Sequence, residues 1–433
     1  MKHNEIKEIC DKIQKNGCNV GERYYRAKND IWERKKMLYY KSEDDKGNLT
    51  EGIMEDPYKA NNTLASGWLK ILIDQKLNFS LGNQFTLDID QITRNIRNGI
   101  YDTGKEASKK AIGWAYVYVK DGELKIKTIP TEQVYVEYLD EEKGIVDTAY
   151  RCYKINGVET FEIITKDYVE VYEMRDKEYV LVETRYHITK GIELNGKLTN
   201  AETKGWNNTP LIPLYNNEER MSDLNNVKGF IDIYDIVNSD FANNLEDIQD
   251  AYFVIKGFNG SNVTELLNNI KQYKVARVGE GGDAKLETQD IPHEAKTRML
   301  ELTQKNLFEF GMGFDTSTVG EGNATNYIIQ MRLSNLKMKA SGFEKQIQEF
   351  MFRLLPFINE YYKTSYKEDD MLIEFNREQL INEVELLNAL KDQKGIISDT
   401  TLYKSHPLVE KVEDEFKNIK DERSINGLYE NAE

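Results

Sequence analysis

The segment Gly99-Ile100-Tyr101-Asp102-Thr103-Gly104-Lys105-Glu106 departs at one position from a phosphate-binding loop. In such a loop, backbone N–H groups cradle the phosphates, the Lys neutralises them, and a Ser or Thr after it holds magnesium. Glu106 takes that last place, where its charge repels phosphate. Residues 91–98 are too polar for the apolar strand that should lead in. The four His (His3, His187, His293, His406) are scattered, and His293-Glu294 lacks the second His of a zinc-binding helix. No GxSxG is present. Residues 311–324 (GMGFDTSTVGEGNA) are rich in Gly but lack GxGxxG and a leading strand, so they read as a loop and not a dinucleotide site. Two acidic pairs, Asp88/Asp90 and Asp369/Asp370, have the chemistry to bind Mg²⁺ for phosphodiester hydrolysis. A metal-dependent nuclease or other DNA-processing enzyme therefore stays open as an alternative, against the plainer reading of solvated loop acids.

The rest of the composition excludes more than it selects. Three Cys (Cys10, Cys18, Cys152), without CxxC spacing, argue against a disulfide framework and a zinc site. The first residues, MKHNEIKEIC, have no apolar core, and no run reaches the roughly 18 apolar residues of a membrane span. The expectation is a protein made in a reducing cytoplasm, with no cofactor and no membrane partner. The net charge is −16. A chain that grips DNA tightly needs basic surface to displace counterions, and taken whole this one lacks it. Residues 22–36 do interleave Arg and Lys with Tyr24, Tyr25 and Trp32, a pattern that can bind nucleic acid but also marks a solvated amphipathic face.

The elements that must position these groups follow from periodicity. Residues 2–41, 61–81 and 87–112 read as helical, the last interrupted near Gly99 and Gly104. From Gly113 the period becomes two, and AYVYVKDGELKIKTIP gives a hairpin at Asp121-Gly122. QVYVEY, AYRCYKI, TFEIIT, YVEVYEM and YVLVETRYHI continue an antiparallel Tyr-rich sheet, closed by the extended NNTPLIP. Val227, Phe230, Tyr234, Val237, Phe241, Leu245, Ile248, Tyr252 and Ile255 then form a helical stripe. Asp232, Asp235, Asp240, Glu246 and Asp250 stand on the other face. A small insert with strands KVARVG and AKLET precedes a helix over 293–310. Ile329, Leu333, Leu336, Ala340, Phe343, Ile347, Phe350, Leu354, Ile358 and Tyr361 step by three and four, which predicts one very long helix bent near Pro356. A strand, MLIEF, and helices interrupted at Gly395 and Pro407 complete an α+β chain of two or three domains.

Six stretches in this order, RYYRAKNDIWERK, NNTLASGWLKILIDQKLNFSLGNQFTL, AIGWAYVYVKDGELKIKTIPTEQVYVEY, NTPLIPLYNNEE with GFIDIYDIVNSDFANNLEDIQDAYFVIKG, GNATNYIIQMRLSNLKMKA and IISDTTLYKSHPLVEKVEDEFKNIKDE, resemble the portal proteins of long-tailed phages of Gram-positive bacteria. The resemblance covers most of the chain, though no single stretch carries chemistry. One departure is Thr325-Asn326, where the family often has Ser-Gly before its longest helix.

The resemblance implies an elongated, non-enzymatic subunit of a dodecameric ring at one capsid vertex of the virion, made in the host bacterial cytoplasm. It implies a wing at 1–221 with the long kinked helix 325–365, and stem helices in 222–257 and 293–310. It also implies a small α/β clip at 258–292, a tunnel loop at 311–324 and a helical crown at 366–433. Double-stranded DNA would pass unread through the channel. The implied protein partners are the terminase large subunit, the head–tail adaptor, scaffolding protein and the major capsid protein. The tunnel loop would present Met312, Phe314, Thr316, Ser317, Thr318 and Val319. The stem would present Lys296, Arg298, Lys305, Glu246 and Asp250, and the clip Lys274, Arg277 and Lys285. An acidic stem face would keep phosphate contact weak.

Overall fold

The computed structural model describes residues 3–15, 19–43, 49–56, 59–82, 85–87, 89, 91–120, 122–194, 197–247, 252–256, 283–287, 293–316, 326–371, 373–377, 383–409 and 411–420. The chain divides into two compact units. One holds Met1–Gly313 and Lys339–Asn376, and the other Phe314–Met338 and Arg377–Glu433.

In the first unit, α1 (His3–Lys15) and α2 (Asn19–Tyr25) are helical as the sequence predicts, but Met37–Glu43 is strand β1, paired with β2 (Leu49–Glu55). The helical reading to residue 41 fails there because MLYY carries the aromatic and apolar density of a strand. Helix α3 (Trp68–Leu77) also starts later than expected, since residues 61–67 form no regular secondary structure.

Strand β3 (Phe85–Leu87) leads to α4 (Arg94–Lys110), capped by the Thr93 hydroxyl, which accepts from Ile96 N. This helix is continuous through both glycines, contrary to the expected interruption. Each glycine is instead a contact point. A Cβ on Gly99 would lie 2.8 Å from Ile126, and one on Gly104 2.7 Å from the Phe343 ring. The near-match to a phosphate loop is therefore helix interior, and Glu106 faces Lys109 and Lys110 of its own helix.

The hairpin at Asp121-Gly122 forms as read. Strand β4 (Ile112–Lys120) pairs with β5 (Glu123–Ile129), with Gly122 at φ +76°. Strands β6 (Val134–Asp140), β7 (Ile145–Ile155), β8 (Val158–Ile164), β9 (Tyr168–Arg175) and β10 (Glu178–Tyr186) make one antiparallel sheet in sequence order. A further hairpin, β11 (Ile188–Leu194) with β12 (Lys197–Lys204), was not legible in the alternation. Strand β13 (Leu211–Tyr215) returns to pair with β4; as an edge strand it tolerates Pro213, which has no N–H to give.

The five-stranded sheet is covered on both faces because its side chains alternate. Tyr150, Phe161 and Tyr172 meet Ile6, Ile9, Cys10 and Ile13 of α1. Their neighbours Ala149, Ile164 and Val171 meet Trp114, Ile129 and Leu211 of the smaller sheet. The main core collects Leu69, Leu72, Ile73 and Leu77 of α3, Ile96, Ile100 and Ala107 of α4, and Phe343, Ile347, Phe350, Leu354 and Ile358.

Helix α5 (Lys228–Asp247) and α6 (His293–Phe310) run antiparallel. Phe230 stacks on Phe310 at 5.1 Å near one end, and Phe241 meets His293 at 5.7 Å near the other. The predicted stripe does not stay helical to Ile255. Tyr252–Lys256 is strand β14, paired with β15 (Asp283–Glu287), because the Tyr-Phe-Val-Ile run favours a sheet once a partner is present. That partner is the predicted AKLET strand; KVARVG lies outside the described residues.

The predicted long helix is interrupted by a turn at Leu333 between α7 (Asn326–Arg332) and α8 (Ser334–Tyr362), with Pro356 inside α8. The break is slight, since Leu333 N still donates to the Ile329 carbonyl and Lys337 N to that of Leu333. Its apolar seam is buried from Ile329 to Ile358. Strand β16 (Ile373–Phe375) pairs with β3, with Ile373 opposite Leu87 and Phe375 opposite Phe85, so the partner strand lies far upstream in the chain. In the second unit, α9 (Glu383–Asp392), α10 (Asp399–Ser405) and a helical stretch at 412–420 follow the predicted breaks, with Gly395 at φ +87°.

Candidate functional site

The acidic face of α5 is the group on which a weakly binding channel wall was expected to rest. The structure gives it another task. Along α5 the buried positions step by four: Val227, Ile231, then Asp235, Ser239 and Asn243. The polar members are buried because the segment 61–67 runs along them. Its backbone N–H groups have no ladder of their own and need acceptors. Asn62 N donates to Asn243 Oδ1 at 2.7 Å, Leu64 N to Ser239 Oγ at 2.9 Å, and Ser66 N to Asp235 Oδ1 at 2.9 Å. Asn29 Nδ2 adds a bond to Asp235 Oδ2 at 2.5 Å. Burial pushes the Asp235 carboxyl above its ordinary value, against these donors.

Three other acids of that face are also engaged. Asp232 accepts from Tyr24 and pairs with Lys228 at 2.8 Å, Asp240 pairs with Arg34 at 3.5 Å, and Glu246 accepts from Asn62. Meanwhile the apolar stripe expected to pack along its length is only half-buried at Phe230, Tyr234, Val237 and Phe241, and Leu245 is 49% exposed. The face written in polar residues is thus the more buried one.

The same pairings answer for the basic and aromatic segment at 22–36. Arg23 bonds Asp30, Arg26 bonds Glu22, Lys35 bonds Glu55, and Tyr24 is buried. Much of its charge is neutralised within the chain.

Of the expected stem cations, Arg298 is exposed and pairs with Glu301 at 3.4 Å, and Lys305 is exposed. Lys296 is half-buried; its Nζ donates to the Asp240 carbonyl at 3.5 Å and lies 5.5 Å from the Phe241 ring centre. All three are on α6. Asp250, Lys274 and Arg277 lie outside the described residues. Lys285 is on β15, and its side chain is likewise outside the description.

The glycine-rich segment is described only to Thr316. Gly311 and Gly313 press on Leu72, where a Cβ would come within 2.6 and 2.5 Å; Met312 between them is half-buried at φ +52°. Phe314 is buried and Thr316 exposed, while Ser317, Thr318 and Val319 lie outside the description.

Sequence reasoning missed what holds the base of this segment. Lys339 of α8 donates to the Gly311 carbonyl at 2.8 Å and pairs with Asp223 at 3.2 Å. Asp223 also pairs with Lys76 of α3 at 2.8 Å and accepts from Asn216 Nδ2 at 2.8 Å. Lys76 is 1% exposed and packs over the Phe343 ring. Burial pushes the Lys76 ammonium down to about 8, against the pull of Asp223. Burial alone would raise Asp223, but the charges of Lys339 and Lys76 outweigh it and hold the carboxyl at about 2. The only signal in the sequence was a Lys, Lys76, among the apolar positions of a helix.

The described candidates for catalysis serve as packing or stand exposed. His187 is buried between the Tyr116 hydroxyl at 2.8 Å and the Thr165 carbonyl at 2.7 Å, and burial lowers its pKa. Asp369 is exposed in a short turn, and Asp88 and Asp90 lie outside the described residues. Among the described residues, no three His, Cys, Asp or Glu side chains cluster as metal ligands. No described helix is long and apolar enough to cross a membrane.

A family model for phage portal proteins of the SPP1 Gp6-like type matches residues 5–426. The portal protein of Bacillus phage SPP1 is 28% identical over 96% of this chain and 86% of its own length. The portal protein of Clostridium phage phiCD119 is 26% identical over 93% of this chain and 91% of its own. A solved structure titled as the neck of a native GTA particle computed with C12 symmetry aligns with 79% of this chain and 88% of its own. That alignment has 10% identity and a TM-score of 0.40.

Proposed function

The chain belongs to the SPP1 Gp6-like family of phage portal proteins, and from that premise we propose that twelve copies close into a ring through which double-stranded DNA is packaged and ejected. The chain is a structural subunit of the portal. The observation that carries this is the family match across residues 5–426, with portal relatives aligned over 93% or more of the chain. In the ring it works without catalysis, at the portal vertex of the virion, after synthesis in the host cytoplasm. It docks the terminase large subunit during packaging and the head–tail adaptor afterwards, and scaffolding and major capsid protein surround it during assembly.

Apolar side chains left exposed on α5 and α6 support self-association: Ile233, Leu245, Met299, Leu302 and Phe310. Contacts of one face with a different face on the next copy generate a ring when the rotation closes. A net charge of −16 supports weak contact with DNA, which a conduit needs because tight phosphate binding would stall translocation. On α5, Asp235 is taken up by the chain itself, while the partly exposed Asp240 and the exposed Glu246 add to that negative charge. Arg298 and Lys305, with the partly covered Lys296, would supply the small basic contribution. The loop after Gly311 is the part assigned to DNA, through Met312 and Thr316 to Val319; the buried Phe314 anchors it instead of facing DNA.

Light scattering on the purified chain tests the ring, with negative-stain imaging of the same peak. A mass far above 50.4 kDa with annular particles is expected. A monomer that cleaves DNA with Mg²⁺ would overturn this reading in favour of the enzyme alternative.

A further inference from the structure

Cys10 and Cys152 lie in contact, Sγ to Sγ at 2.6 Å, across the junction of α1 and the five-stranded sheet. Both are free thiols in the structure. Each is held by its own element rather than by a loop. Cys10 is buried on the face of α1 that carries Ile6, Ile9 and Ile13. Cys152 is two residues along β7 from Tyr150, so both side chains leave the strand on the side that faces α1. The Tyr179 hydroxyl, 3.7 Å from Cys10, closes one flank. Cys152 is only partly buried, which leaves an approach for a small reagent from solvent.

We propose that Cys10 and Cys152 are an oxidation site, forming one intrachain disulfide that staples the first helix to the sheet. The reaction is thiol–disulfide exchange with a small-molecule disulfide such as oxidised glutathione. Cys152, the more accessible sulfur, gives up its proton to solvent as it attacks; its contact with Cys10 and burial raise its pKa, so the exchange is slow at neutral pH and quickens as pH rises. An S–S bond forms to one half of the reagent, and the other half leaves as a thiolate that takes up a proton. The Cys10 sulfur, deprotonated in turn, attacks Cys152 Sγ and expels the second half as a thiol. Two protein thiols are oxidised and one reagent disulfide is reduced to two thiols, so electrons and protons balance. The bond would close a loop spanning 142 positions. It constrains the unfolded chain strongly and leaves the native packing of α1 in place. α1 rests on the sheet through its apolar row, the His3 ring against Tyr179 and Lys12 over Tyr135, and the link would add a covalent tie to these.

The test uses the full chain, incubated with oxidised glutathione, quenched with an alkylating reagent, denatured and mapped by mass spectrometry. Of the three thiols, one, Cys18, is expected to remain alkylatable. The protein should be lighter by two hydrogens before alkylation, with one linked peptide pair containing Cys10 and Cys152. Three alkylatable thiols, a stable glutathione adduct on Cys152, or a link from Cys10 to Cys18 would each overturn the assignment. Cys10→Ser should trap the glutathione adduct on Cys152, which has no resolving thiol left, and Cys152→Ser should keep Cys10 and Cys18 alkylatable. Amide exchange over residues 3–15 should slow in the oxidised wild type and recover with dithiothreitol. Unchanged exchange would overturn the staple.

Discussion

Asp223 shows how one buried carboxylate can organise a site. It lies 5% exposed between two ammonium groups and an amide. Replacing it as Asp223→Asn leaves Lys76 and Lys339 facing each other without a counter-charge, and removing one partner of a buried pair typically costs about 3–5 kcal/mol. A lower midpoint in urea is expected, and an unchanged midpoint would refute the role. The pH dependence has a fixed sign. The folded carboxyl titrates near 2, below the ordinary 3.8, so its contribution is complete above 3.8 and is lost as pH falls toward 2. That contribution is roughly 2 kcal/mol. The wild type should therefore lose stability more steeply than Asp223→Asn as pH drops through this window. Lys76 has the same sign in a higher pH window. Its folded value near 8 lies below the ordinary 10.5, so stability rises with pH between those values as the folded chain sheds a proton. Gly104 makes a steric prediction. A methyl at 2.7 Å from the Phe343 ring forces two well-packed helices apart, so Gly104→Ala should destabilise by roughly 1–3 kcal/mol despite its better helix propensity.

At the scale of elements, the polar row of α5 and the segment 61–67 form one unit. Asp235 accepts from Ser66 N and the Asn29 amide at once. Asp235→Ala leaves the buried Ser66 N–H and one N–H of the Asn29 amide without an acceptor, the other still bonding the Ser66 carbonyl, at a cost of about 1–3 kcal/mol. The expected signature is local. Hydrogen exchange should rise over residues 61–67 well before the five-stranded sheet is affected. Equal exchange in wild type and variant would show that the segment is held by other contacts. An irregular strap beside a helix explains why the sequence misleads here, because Asp, Ser and Asn on one helical face normally signal solvent.

For the whole molecule, the ring and the channel are separable by charge. Reversing Lys296, Arg298 and Lys305 on α6 should alter DNA packaging while the particle mass in light scattering stays that of the wild-type ring. Loss of the ring in that variant would reassign these residues to contacts between copies. Because phosphate contact is weak in a conduit, retention of DNA by the assembled protein should be slight at moderate salt and fall further as salt rises. Firm, salt-resistant retention would contradict a passive channel.

Local pattern alone determined a good part of this protein. The alternation from Gly113 onward gave β4 to β10 and the turn at Gly122, because one buried face per strand forces a period of two. The seam from Ile329 to Ile358 gave a buried helical row for the same reason at a period near 3.6. The ordered set of stretches gave the family. Tertiary structure decided everything that depends on residues far apart in the chain. It made Tyr252–Lys256 a strand by bringing β15 beside it. It turned Gly99 and Gly104 from presumed breaks into helix contacts. It buried Asp235, Ser239 and Asn243 of α5 under a segment more than 160 positions away, as with Ser66 on Asp235 at a separation of 169. It also set Cys10 against Cys152, which their count and spacing had argued against as a framework. Periodicity reports which face of an element is apolar; it carries no record of which distant backbone needs an acceptor, and that need is what buried the polar face of α5.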